Sequence, residues 1–421
     1  MHLDLPFLYQ RIVVILLAFF LSVFFIRHAI QSWVSELYAQ EAPQPQGLRK
    51  ALSFDPENPQ YYFSLGTYLH IFDYTAYTEE VFSFYKRALE LSPFNHGYWI
   101  SLAEFLAEEG KNEKAMYALW HATDMAPAFV PLRWRAGMLA IKLGNKEAVL
   151  ENLSVVIASD PKKRTGAYAA LWQMIEQGEE ILDKVSEDAL PSYLGFLMDT
   201  GRAAEARLAW KRLRESGNTS RELLLKYVDF LLREGYLTSA TLREDYISSA
   251  KGVWKEAFGD WGGVWNGDFE EEPMKGGFDW GLDEVEGAEI ERDKDKWEGN
   301  YSIKVAFDGE HNVDFHHLWQ IVPVDKDSDY ILSSYMKSDG ITTRNGIQWE
   351  IYCYDSEGLY SVTEPLVGTH NWHLVKLSFR TPVGCRAVVV RLRRFESDRL
   401  DRLISGRIWV DKVELNKSNM K

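Results

Sequence analysis

Four prolines punctuate the first half of the chain at a nearly constant interval, and that interval restricts the fold more than any other feature. Phe54-Asp55-Pro56, Leu91-Ser92-Pro93, Met125-Ala126-Pro127 and Ser159-Asp160-Pro161 place the prolines 37, 34 and 34 residues apart. Proline cannot continue a helix, so each marks the start of a unit long enough for two helices and a turn. Ten residues after the first three prolines stand Gly66, Ala103 and Gly137, small residues that let paired helices approach closely. Seventeen after them stand Asp73, Gly110 and Gly144, where the turn within each pair belongs. The longer first interval predicts an insertion near Phe72 to Glu79. Beyond Pro161 the pattern fades, yet Tyr193 to Leu213 and Leu223 to Ala240 keep apolar residues at helical spacing, with Gly201 and Gly235 in turn positions.

The segment ALELSPFNHGYWISLAEFLAEEGKNEKAMYALWHATDMAP, Ala88 to Pro127, resembles one full tetratricopeptide repeat, a family whose period is about 34 residues. Each helix pair of such an array exposes an apolar face that only its neighbour can cover, so the pairs stack into a curved solenoid whose concave side holds protein partners. Trp99, Trp120, Trp134 and Trp172 fall within the helical pattern and are expected in the interhelical core. His70, His96 and His121 are scattered, without carboxylates at metal-ligand spacing, and are assigned no chemistry.

Upstream, Ile12 to Ile26 read IVVILLAFFLSVFFI, an uninterrupted apolar run flanked by Arg11 and by Arg27 with His28. A spanning helix wants about 20 apolar residues. Leu5, Pro6, Phe7, Leu8 and Tyr9 on one side and Ala29 and Ile30 on the other extend the run, and no small-x-small cleavage site follows closely, so an uncleaved anchor is expected. Arg11 precedes the span while Arg27, Arg49 and Lys50 follow it, so basic residues do not set the orientation. A short tail before an N-terminal span favours export of the domains downstream of it.

Near residue 260 the texture changes to short alternating runs of Trp, Tyr, Val and Ile separated by Gly, Asp, Asn and Ser. Strands are predicted at Ser302–Phe307, Phe315–Val322, Tyr330–Met336, Gln348–Tyr354, Trp372–Phe379, Ala387–Arg393 and Arg407–Leu415, with shorter pieces at Asn266–Glu270 and Ala288–Glu291. That count and spacing argue for a two-sheet sandwich or jelly roll. Asn266-Gly267-Asp268-Phe269-Glu270, Gly299-Asn300-Tyr301-Ser302-Ile303-Lys304-Val305, Gln320-Ile321-Val322-Pro323-Val324 before Tyr330-Ile331-Leu332-Ser333, and Ile408-Trp409-Val410-Asp411-Lys412-Val413-Glu414-Leu415 together resemble carbohydrate-binding modules of the galactose-binding-like jelly-roll type.

The resemblance implies sugar binding and a structural calcium tying the first strand to the last, with Asp268, Glu270 and Asp411 as the matching side chains. Calcium takes six to eight oxygen ligands, which carboxylates and carbonyls can share. Sugar recognition needs flat aromatic faces and planar polar groups. Alternation along Gln348–Tyr354 sends Trp349, Ile351 and Cys353 to the core and Glu350, Tyr352 and Tyr354 outward. The same rule turns Tyr335 and Lys337 away from Tyr330 and Leu332, and Arg391 and Arg393 away from Val390 and Leu392. Tyr335, Glu350, Tyr352, Arg391 and Arg393 are therefore the candidate sugar site on one concave sheet, the arginines suiting an acidic polysaccharide, while an ordinary solvated face with Glu350–arginine pairs is the plainer reading of the same residues. His316 and His317, adjacent in a strand, should point to opposite faces.

A net charge of −15 without a basic stripe opposes nucleic-acid binding. Two cysteines, Cys353 and Cys385, rule out a disulfide-dense scaffold or a four-cysteine zinc site and leave their own pairing open. No Gly-x-Ser-x-Gly elbow, Walker loop or dinucleotide fingerprint occurs, so no enzyme is expected. The expected fold class is multidomain α + β: a transmembrane anchor and juxtamembrane helix over 1–40, a tetratricopeptide-like helical solenoid over 45–256, and an antiparallel β-sandwich over 262–418. The expected function is that of a bacterial inner-membrane protein with periplasmic domains, scaffolding protein partners on the solenoid and binding a polysaccharide or oligosaccharide on the sandwich, in polysaccharide assembly or export. The alternative is a pure assembly scaffold.

Overall fold

A computed structural model describes residues 8–41, 45–72, 78–237 and 240–418, with side chains described outside 41 and 236–245. Leu5 to Phe7, Asp73 and most of the expected insertion lie outside the described residues. The chain forms two compact units, Met1–Phe196 and Leu197–Lys421.

Helix α1, Leu8–Glu41, is 34 residues long, about 50 Å at 1.5 Å per residue, and longer than a hydrocarbon core of about 30 Å. It is the one helix among the described residues long and apolar enough to cross a membrane, and its apolar side chains from Ile12 to Ile26 are exposed. Its far end is different: Ser35 is buried and its hydroxyl meets the Tyr61 hydroxyl at 3.2 Å, while the Tyr61 hydroxyl donates to Glu36. The apolar helix thus runs directly into the packed unit.

The helices that follow are α2 (Pro45–Phe54), α3 (Pro59–Phe72), α4 (Thr78–Leu91), α5 (His96–Glu108), α6 (Asn112–Met125), α7 (Val130–Lys142), α8 (Lys146–Ser159), α9 (Arg164–Met174), α10 (Gly178–Leu182) and α11 (Leu190–Asp199). Pairs α3/α4, α5/α6 and α7/α8 follow the proline register. Asn95 caps α5 by accepting from Gly97 N at 2.9 Å, and Asn145 caps α8 by accepting from Ala148 N at 2.9 Å. Gly110 and Gly144 take φ of 71° and 69° and let the following amides bond back to Leu106 and Ala140. The small positions are close approaches: a Cβ on Gly137 would sit 2.5 Å from Leu153 Cδ2, and Ala103 is fully buried. Trp120 departs from expectation. It is 56% exposed, because it lies on the side of α6 opposite the buried Ala115, Ala118, Leu119 and Ala122.

The second unit holds α12 (Ala203–Glu215), α13 (Arg221–Leu237), α14 (Ala240–Phe258) and a sandwich of ten strands. Gly235 lies inside α13 rather than in a turn, and its missing side chain admits Ile247 of α14. Trp254 of α14 is fully buried among Phe258, Trp261, Trp265 and Phe278, with ring centroids 4.6 to 6.2 Å away. Asp229 of α13 accepts from Gly277 N at 2.6 Å. The change of texture near residue 260 is therefore a boundary of secondary structure and not of packing.

The strands are β1 (Gly281–Leu282), β2 (Ala288–Asp293), β3 (Ser302–Asp308), β4 (Phe315–Pro323), β5 (Asp329–Ile341), β6 (Gln348–Cys353), β7 (Tyr360–Val362), β8 (Gly368–Arg380), β9 (Ala387–Arg394) and β10 (Ser405–Lys417). One antiparallel sheet runs β1-β4-β9-β6-β7 and the other β2-β3-β10-β5-β8. Between them lie Trp280, Trp349, Phe315, Ile303, Val390 and Val410. Asn266–Glu270 is not a strand. Asn266 and Phe269 take positive φ, and the segment is held instead by Val413 N donating to Gly267 O at 2.7 Å.

Cys353 and Cys385 form a disulfide that closes a loop of 32 residues. Replacing both by alanine should lower the unfolding free energy of the second unit by about 3–4 kcal/mol in urea titrations, the loop-closure value for that length. Asp279, 2% exposed, accepts from Met274 N and Trp280 N at 2.8 and 2.7 Å, and burial holds its carboxyl above the usual aspartate range. The folded chain keeps this proton where the unfolded chain has lost it, so the group's stabilising contribution is full below about pH 3.9 and falls as pH rises through the raised value. The melting-temperature difference between wild type and Asp279→Asn should therefore move against the wild type across that window and level off above it.

Candidate functional site

The outer face of β1-β4-β9-β6-β7 is built from two cross-strand rows. Register places Trp319, Arg391, Glu350 and Val362 side by side, and Ile321, Val389, Tyr352 and Tyr360 beside one another in the next row. At the usual strand spacing each row spans about 14 Å. A groove of about 380 Å³ lies here, lined by His316, Trp319, Ile321, Tyr352, Tyr354, Val389 and Arg391.

The aromatic groups are held in place. The Trp319 indole lies over Gly281, where any side chain would collide with it, and its Nε1 donates to Asp283 at 2.7 Å. The Arg391 guanidinium stands 4.7 Å from the Tyr352 ring centre. Glu350, 1% exposed, pairs with Arg391 and lies 4.0 Å from Arg393 Nε. Arg393 also pairs with Asp314 and donates to the carbonyls of Phe315 and Arg394.

Of the residues expected in one site, Glu350, Tyr352, Arg391 and Arg393 share this sheet. Tyr335 does not: it lies on β5 in the other sheet, stacked on Trp297. Alternation tells which way a side chain points within a strand but not which sheet the strand joins, hence the misplacement. Trp319, Ile321 and His316 were missed, although alternation along the predicted strand Phe315–Val322 carried the signal for Trp319 and Ile321. His316 and His317 also depart from alternation. The ladder between β4 and β9 shifts between Phe315 and Leu318, and the two rings stack 4.2 Å apart. Burial first, and the neighbouring His316 second, hold His317 below the usual histidine value.

Asp268, Glu270 and Asp411 line a separate pocket of about 400 Å³ with Glu298, Lys412 and Glu414. Glu270 accepts from Asn300 N, Asn300 Nδ2 at 2.8 Å and Tyr301 N at 3.0 Å, and these donors, the Asn300 amide foremost, hold its carboxyl below the usual range. Asp411, fully buried, accepts from Trp297 N at 2.8 Å, Glu298 N at 3.1 Å and Lys412 N at 2.6 Å. Burial raises its pKa, and the Asp268 charge adds to the rise. Among the described residues, no group of three His, Cys, Asp or Glu side chains is arranged to hold a metal ion by itself.

No protein-family model and no curated protein matches the chain. Among solved structures, a family 16 carbohydrate-binding module is similar at 17% identity, covering 37% of this chain and 99% of that one, with a TM-score of 0.26. A tetratricopeptide repeat protein from Parabacteroides merdae is similar at 15% identity, covering 55% and 92%, with a TM-score of 0.31. YrrB, described as a tetratricopeptide repeat protein with an unusual peptide-binding site, is similar at 20% identity, covering 45% and 93%, with a TM-score of 0.30.

Removing Arg391 strands a buried carboxylate. Arg391→Ala should cost about 3–5 kcal/mol of stability, and adding Glu350→Gln should recover part of that loss in denaturant titrations, a coupling larger than the roughly 0.2–1 kcal/mol of exposed pairs.

Proposed function

We propose that this chain is a non-catalytic, membrane-anchored protein of the bacterial envelope that holds protein partners on its helical repeats and binds a glycan on the groove of Trp319, Tyr352 and Arg391. One observation carries the reading: on a single sheet face, two immobilised aromatic rings flank a guanidinium whose charge is already matched by Glu350. Such a surface offers stacking and oriented donors without a free charge, which suits the C–H faces and hydroxyls of a neutral sugar better than an acidic polymer. The Cys353–Cys385 disulfide favours an oxidising compartment, and with the apolar α1 it supports an inner-membrane anchor and periplasmic domains. A role in polysaccharide assembly or export follows from joining a glycan site and a partner-binding solenoid on one anchor. The oxygen-rich pocket fits a structural calcium in which Asp268, Glu270 and Asp411 would be ligands and backbone carbonyls the remainder. The ion would supply a tie between chain segments and no chemistry.

The test is a glycan array probed with the full chain in detergent, with calcium and with chelator. The wild type should be retained by neutral glycans, and Trp319→Ala and Tyr352→Ala should each weaken retention about tenfold, 1.4 kcal/mol. A folded chain that binds no glycan would leave the scaffold reading alone. Melting curves that coincide in calcium and chelator would retire the calcium.

A further inference from the structure

The opposite sheet carries a second aromatic platform. Residues 294–301 lie against the outward side chains of β5 and β8, where Trp297 stacks on Tyr335 with ring centres 4.1 Å apart and planes within 10° of parallel. One face of the indole is covered, yet the residue remains 45% exposed. Leu374, also exposed, sits directly across from Tyr335 in the β5–β8 register.

This segment is fastened at every turn. Its amides at Trp297 and Glu298 donate to Asp411, those at Asn300 and Tyr301 donate to Glu270, and Asp295 pairs with Lys337 while accepting from the Trp372 indole at 3.3 Å. A loop so held cannot turn its tryptophan inward, and it gives up little conformational freedom when the indole is covered. The exposed apolar area, one indole and one leucine, is far below what a protein interface buries. Ion pairs flank it, Lys412 with Glu298 and Lys337 with Asp295, offering donors and acceptors at the edge of a flat ring.

We propose that the Trp297 platform is a second sugar-stacking site that takes a pyranose ring of a neutral glycan, so that the sandwich has one ligand face on each sheet. The ligand class rests on the glycan-binding reading of the sandwich; the site rests on the stacked, fastened indole.

Calorimetric titration of the full chain in detergent with cellohexaose, xylohexaose and mannohexaose tests it, with hydrogen exchange followed over residues 294–301. About two probe molecules per chain are expected for the wild type and about one each for Trp297→Ala and Trp319→Ala. Trp297→Phe, which keeps the stack on Tyr335, should restore the second equivalent, and amides of 294–301 should slow on binding even in Trp319→Ala. Unchanged stoichiometry in Trp297→Ala, with all binding lost in Trp319→Ala, overturns the platform and leaves the groove. The reverse pattern overturns the groove and leaves the platform, and no heat from any probe sinks both.

Discussion

A carboxylate withdrawn from water must be neutralised where it stands, and Glu350 sets the terms for the whole outer face of its sheet. Its 1% exposure requires Arg391 beside it, and Arg391 in turn lies against Tyr352. Because such a pair gains little net stability over a well-packed apolar pair, its effect is geometric. It fixes the plane of the guanidinium and the tilt of the phenol, and it cancels the charge of Arg391, while Asp314 offsets that of Arg393. A ligand arriving there meets rings and oriented N–H groups, with no free cation to attract a polyanion.

Hydrogen bonds to carboxylates also hold the backbone at the other end of the sandwich. Glu270 and Asp411 each accept three N–H groups, and through them residues 297–301 are tied to the first loop and the last strand. An acidic residue at these positions reads identically in sequence whether it ligates an ion, caps a loop or does both, and which amides it accepts is a property of the folded backbone.

That contrast also explains which features were legible in the sequence. The repeat could be read from prolines and small residues because each repeat is a local structure whose contacts fall at a fixed sequence interval. Lys142 reaches Glu108 and Lys146 reaches Glu180 across 34 residues in each case. The strands could be read because alternation is local too, and eight predicted strand positions, Ala288–Glu291 among them, match to within a few residues. Tyr335 was grouped with Tyr352 because pairing of strands into sheets is not local, and Trp120 was placed in a core because a helical stripe of aromatics does not state which stripe the neighbours cover. The ladder shift that stacks His316 on His317 adds one residue to one strand, and nothing in His-His announces it.

The buried Trp254 extends this reasoning to the level of domains. Composition changes sharply after α14, yet Trp254 sits among Phe258, Trp261, Trp265 and Phe278, and α13 offers Asp229 to the amide of Gly277. Gly277 takes φ of 64° beneath the indole, and a side chain there would strike it, so the close approach is built into the backbone. A sandwich cut free near residue 260 would expose Phe278 and the tryptophans around it. The helices α13 and α14 before the sandwich are therefore packed into the same compact unit as its strands.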